Sequence, residues 1–244
     1  MKRVPSLMLL LLVGAMMGWG ISIPAISYNN ITGNQTWTGA LSFAFEVNRP
    51  ITIDALGVFD SKSDGLRQQL YVEIRKITAL GSLSTCSATP NSTNCHFSFT
   101  GTTLDSSALT SATFLAGGSY LLSGGARWQN VSPVTLAAGY YMLTAHGYGG
   151  SEPNYNAHGG TAAHVSALDT FGGAISWGVG AWSGNAYGVG SLPTVWDYWN
   201  GGGPTIRYGA GTFSVVPEPG TYALITTVGL ALYLLRRRKA ASKG

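Results

Sequence analysis

The run Leu41-Ser-Phe-Ala-Phe-Glu-Val47 constrains this chain most. Large apolar side chains fall on alternate residues, so Leu41, Phe43, Phe45 and Val47 share one face of an extended strand. The same period returns after Arg49-Pro50 in Ile51–Phe59, and again in Leu70–Ile77. Trp128 opens a further strand that runs to Leu136, Ala138-Gly139 turns the chain, and Tyr140–Ala145 leads back. A last extended stretch is expected from Thr205–Tyr208 through Phe213–Val216. Period-two strands at regular spacing, bounded by Asp, Gly, Ser and Pro turns, predict a β-sandwich. Composition agrees: only 10% of residues are charged, and 34 glycines and 11% aromatics suit an extracellular β-domain. No long helix is expected between the two ends, and the roughly 190 residues there suffice for one core.

The ends read differently. Lys2 and Arg3 precede an apolar run, Leu7–Val13, and small residues follow at Ala25 and Ser27. This is the pattern of a secretory signal peptide over residues 1–27. Ala25-Ile26-Ser27 fits the small-x-small rule, with cutting before Tyr28. At the other end Val216-Pro217-Glu218-Pro219-Gly220 is followed by an uncharged segment, Thr221–Leu235, and then by Arg236-Arg237-Arg238-Lys239. As a helix, residues 221–235 would be about 22 Å long. That is short of the roughly 30 Å hydrocarbon core, though snorkelling arginines extend its reach. The arginine cluster is a cytoplasmic stop, which leaves everything before Pro217 outside. The prolines hold an extended, protease-accessible stretch beside the bilayer.

These ends change what the charge means. The whole chain carries +4, but Lys2, Arg3, Arg236, Arg237, Arg238, Lys239 and Lys243 all lie in them. Without them the body is mildly acidic, about −2 to −3, and holds no basic run. A nucleic-acid partner has no electrostatic footprint here.

Inside the body, Cys86 and Cys95 flank a polar, turn-rich loop, and in an oxidising compartment such a pair reads as a disulfide. Metal binding with His96 and a catalytic thiol are the alternatives. His146, His158 and His164 are the other histidines, expected at the surface or satisfied within strands. No nucleophile elbow or zincin motif accompanies them, and no cofactor is implied. Glu152 and Asp169 are a weak candidate for paired glycosidase carboxylates. The chain is therefore expected not to be an enzyme. Asp60-Ser-Lys-Ser-Asp64-Gly65 offers oxygen ligands for calcium from Asp60 and Asp64, but Lys62 sits inside it and an ordinary turn explains it as well. Trp177, Trp182, Tyr187, Trp196, Tyr198 and Trp199 crowd one Gly-rich region. Trp177, Trp182, Trp196 and Trp199 are candidates for stacking on sugar rings; packing that closes the sandwich is the competing reading.

The C-terminal arrangement resembles the PEP-CTERM sorting signal of Gram-negative bacteria. The resemblance assigns Pro217, Glu218 and Pro219 to the recognition motif, 221–235 to the membrane helix and Arg236–Lys239 to the basic tail. It implies an exosortase, a membrane cysteine transpeptidase that cuts near the Pro-Glu-Pro. The stretches beginning Phe45-Glu-Val and Ala126-Arg-Trp, with Gly203–Pro219, resemble a β-sandwich module common in such proteins, grouped with domains of unknown function. That likeness implies a jelly-roll-like sandwich and no known chemistry. The expected plan is a signal peptide at 1–27, a single all-β ectodomain at 28–215 and a sorting signal with a transmembrane helix at 216–240. Expected partners are the Sec machinery and signal peptidase, the inner membrane before processing, exosortase and an exopolysaccharide. The expected role is a secreted surface or matrix protein without catalysis, or else a carbohydrate-binding module.

Overall fold

A computed structural model describes residues 22–28, 31–79, 82–84, 98–100, 103–156, 167–182, 197–198 and 208–216. One compact unit spans Pro24–Val215. Of the second unit, Met1–Ile23 with Val216–Gly244, only Ser22, Ile23 and Val216 are described.

In chain order the first strands are β1 (Ile23–Pro24), β2 (Ile26–Ser27), β3 (Leu41–Val47), β4 (Ile51–Phe59), β5 (Leu70–Ala79) and β6 (Ser82–Ser84). Then come β7 (Ser98–Thr100), β8 (Thr103–Leu104), β9 (Thr110–Phe114), β10 (Leu121–Ser123), β11 (Ala126–Leu136) and β12 (Gly139–His146). The last are β13 (Tyr155–Asn156), β14 (Ala167–Leu168), β15 (Ile175–Trp182), β16 (Asp197–Tyr198), β17 (Tyr208–Gly209) and β18 (Gly211–Val216). The fold is all-β, as the alternation requires. Helical geometry among the described residues is confined to a 3-10 turn at Ser61–Ser63. No helix among them is long and apolar enough to cross a membrane. The expected membrane segment 221–235 lies outside the described residues.

Two sheets carry the architecture. The smaller has the order β1-β18-β4-β11-β10, and the larger β16-β15-β3-β12-β5-β8, with β9 also on β5. The predicted runs 41–47 and 51–59 are β3 and β4, and Leu70–Ile77 grows by two residues into β5. The final stretch is two strands, β17 and β18, broken at Ala210.

The core lies between the sheets, and aromatic rings supply much of it. Phe213 of the small sheet meets Phe45 of the large one with ring centroids 5.1 Å apart. Phe45 also stacks on Tyr141 at 5.6 Å, and Trp177 packs edge-on against Phe43 at 5.4 Å. Offset and edge-to-face pairs of this kind add about 0.5–1.5 kcal/mol each beyond simple burial.

Residues 25–28 form a strap across the outer face of the small sheet. Ala25 donates its N–H to Phe213 O at 2.7 Å, and Thr212 Oγ1 accepts from Ile26 N while donating to Ile26 O. At the far edge Tyr28 N donates to Gly124 O in the turn between β10 and β11. The Tyr28 ring is fully buried, edge-on to Phe59 at 5.2 Å, and its hydroxyl donates to Gly211 O at 2.7 Å. Burial pushes that hydroxyl's pKa far above its ordinary value. Gly125, at φ +71°, has no room for a Cβ because Tyr28 O lies against it. Ala25 and Ile26, which the expected leader 1–27 would include, are thus packed with Tyr28 in the described body. Emptying an aromatic site of this kind typically costs about 3–5 kcal/mol.

Candidate functional site

Asp60 and Asp64 are the first candidates to place. Asp60 is fully buried; its carboxylate accepts from Gly65 N and, at 2.6 Å, from Arg127 Nε. Asp64 is paired with Arg67 at 2.6 Å on the surface. Arginines and a backbone N–H take the positions that calcium would need. Among the described residues no group of three or more His, Cys, Asp or Glu is placed to hold a metal ion. The calcium reading is withdrawn, and the loop is a clamped turn. Glu152 does the clamping: Oε1 accepts from Ser61 N and Oε2 from Arg67 N, both at 3.0 Å. Burial nevertheless raises the Glu152 pKa, the two backbone donors only partly offsetting it. Lys62 and Ser63 are thereby held at φ 67° and 59°, a region non-glycine residues rarely occupy. Asp169 accepts from Phe171 N at 2.6 Å. Glu152 and Asp169 are thus both engaged by loop backbone, not presented as a glycosidase pair.

Trp177 is 1% exposed, and its indole N–H donates to Asp169 O at 2.9 Å. It has no free face, so its sugar-stacking role is corrected to core packing. Trp182 is half-buried and meets Trp37 edge-on at 5.1 Å. Trp196 and Trp199 lie outside the described residues, as do Cys86, Cys95, His96, His158, His164, Pro217, Glu218, Pro219 and Arg236–Lys239.

The outer face of the large sheet holds a polar cluster that the alternation rule assigns to solvent. On β3, β5 and β12 the residues pointing away from the core include Ser42, Glu73, Arg75, Thr144 and His146, and all five are buried. Ser42 and Thr144, opposite each other in the register, share a hydroxyl hydrogen bond of 2.9 Å. Arg75 grips Glu73 through Nε and Nη2, both at 3.0 Å, and its Nη1 donates to the carbonyls of Asp105 and Ser106. Tyr71 donates to Glu73 at 3.2 Å. His146 is the exception: fully buried, with neither ring nitrogen hydrogen-bonded, against the Tyr71 ring at 4.8 Å. Burial lowers its pKa, and Glu73 opposes the shift. The expectation of a surface or satisfied histidine fails at this position. Serine, histidine and glutamate share the face, yet Ser42 is bonded to Thr144 and Glu73 to Arg75 and Tyr71. No nucleophile–base hydrogen bond is formed, which a triad would require.

The outer face of the small sheet is open beyond the strap, and it carries an aromatic platform that sequence reasoning missed. Phe213 points into the core, so its neighbours Thr212 and Ser214 point outward. A Cβ at Gly57 would lie 2.7 Å from Thr212 Cγ2 and 3.0 Å from the Trp128 ring, so the indole lies over bare backbone on that outer side. Trp128 is half-buried and donates its indole N–H to Ser123 O at 3.0 Å. Polar pairs lie further along the same sheet: Ser214 donates to Asp54 at 2.6 Å, and at the far end of β4 and β11 the Thr52 and Thr135 hydroxyls meet at 3.0 Å. A bulge in β11 between Asn130 and Val134 exposes Asn130, Ser132 and Pro133. A glycine opposite a strand tryptophan was the available signal, but only the pairing of β4 with β11 brings the two together.

Comparison with family models, with curated proteins and with solved structures gave no match.

Proposed function

We propose that this chain is an exported surface or matrix protein without catalytic activity, processed at its C-terminus by an exosortase. The observation that carries the reading is the ordered terminal signal: Pro217-Glu218-Pro219, the apolar stretch 221–235 and the stop at Arg236–Lys239. The fold supports it, because β18 ends at Val216, one residue before the motif begins. In this reading the Sec machinery carries the chain through the inner membrane, signal peptidase removes a leader, and residues 221–235 hold the sandwich outside until the cut. The sandwich is of the jelly-roll kind, stapled by Cys86–Cys95, and is released to the cell surface or an exopolysaccharide matrix. Intact mass of the protein recovered from cells and medium tests this. A C-terminus near Glu218 is the expected result; mature material that keeps its arginine tail would refute processing.

One observation favours a second reading, a carbohydrate-binding sandwich. The half-buried Trp128 indole lies over the bare backbone of Gly57, with Asn130 exposed two residues along the same strand, a ring and a carboxamide of the kind that stack on and hydrogen-bond a sugar. Titrating host exopolysaccharide should quench tryptophan emission in the native protein and not in Trp128→Ala. Equal quenching in both would remove Trp128 from the site, and none in either would leave the matrix reading alone.

A further inference from the structure

The strap allows the leader cut to be located. Resting on the export reading above, we infer that signal peptidase cuts upstream of β1, after Gly20 or after Ser22, and that the strap 25–28 stays in the mature protein. Ala25-Ile26-Ser27 satisfies the small-x-small rule, but so do Gly18-Trp19-Gly20 and Gly20-Ile21-Ser22. Sequence alone does not separate these three sites; burial does.

A cut before Tyr28 would discard Ala25 and Ile26, which are 0% and 2% exposed. It would strip Phe213 O of the Ala25 N–H, and Thr212 Oγ1 of both its partners on Ile26. Thr212 is itself fully buried, so its hydroxyl would be left unsatisfied. The pairing of β2 with β14, Ala167 opposite Ser27 and Leu168 opposite Ile26, would go too, with the bond from Asp169 N to Ala25 O. A new charged N-terminus would fall on Tyr28, whose N–H now donates to Gly124 O inside the fold. Cutting after Gly20 or Ser22 removes none of these contacts. It also brings the cut closer to the apolar run Leu7–Val13.

The test is the N-terminal residue of the full chain exported by a Gram-negative host, read by intact mass and N-terminal sequencing. Ile21 or Ile23 is expected. Gly20→Leu combined with Ser22→Leu blocks both upstream sites without touching the strap, and should leave the leader attached. Ser27→Gln spoils the downstream site and should leave the cut where it was. A native chain beginning at Tyr28, or continued cutting of the double variant at that bond, overturns the assignment while leaving export intact. A native chain that keeps Met1–Lys2 and stays in the cytosol overturns the export reading itself, and the assignment with it.

Discussion

The two outer faces of the sandwich are built from similar residues and end in opposite states. On the large sheet Ser42, Glu73, Arg75, Thr144 and His146 are sealed from water. On the small sheet Thr52, Asp54, Trp128 and Thr135 remain at least partly open. Polarity therefore does not decide which face meets solvent. The sealed face tolerates its charges because Arg75 meets Glu73 at two points and two backbone carbonyls besides, and its hydroxyls because Ser42 and Thr144 satisfy one another. The open face has its own hydroxyl pair, Thr52 with Thr135, but no buried ion pair like Glu73 with Arg75.

The largest expected effect follows from breaking the sealed ion pair. Glu73→Ala leaves the Arg75 guanidinium buried with only carbonyl partners and should cost about 3–5 kcal/mol in a urea titration. Replacing both, Glu73→Leu with Arg75→Met, should recover most of that loss; if the double variant is as unstable as the single one, Arg75 is not paired as described.

His146 comes next. Its folded pKa lies below the ordinary value of about 6.5, so between the two the unfolded chain binds a proton that the folded chain refuses. Stability should rise with pH through that window and fall on acidification. Tyr71, Glu73 and Arg75 face the ring from β5, and Glu73 limits the shift. His146→Leu removes the titration and a buried polar group without partners, and should be at least as stable as the native chain at pH 7, by up to about 1–3 kcal/mol. Melting curves at pH 5 and pH 7.5 check this: the interval between the two melting temperatures should shrink in the variant.

The open face should answer more weakly. Ser214→Ala removes one hydrogen bond to Asp54, worth about 0.5–1.5 kcal/mol. Asp64→Asn, at an exposed ion pair with Arg67, should change stability by less than about 1 kcal/mol. Should Ser214→Ala prove as damaging as Glu73→Ala, the contrast between the faces would be wrong.

Much of the scaffold was legible from local pattern. β3 and β4 were readable to the residue because each pairs large apolar groups with a two-residue period and turn formers at its ends. What escaped was long-range. Ser42 and Thr144 look like solvent-facing positions until the register sets them opposite each other, 102 residues apart. Ile26 is held by Thr212, 186 residues away, a partner that no local string reveals. Trp177 looked like a binding residue because Gly-rich surroundings suggest a surface loop, whereas its ring is buried against Phe43 and Phe45 of β3. Asp60 looked like a ligand because its counter-charge, Arg127, lies 67 residues away and is invisible in the local string.

β18 is the last strand among the described residues and yet lies within the small sheet, with Phe213 in the core against Phe45. The sandwich cannot shut before Val216 is in place. A chain made from its N-terminus therefore keeps this core open until residues near 216 exist, so closure waits on pairings that reach across nearly the whole described body.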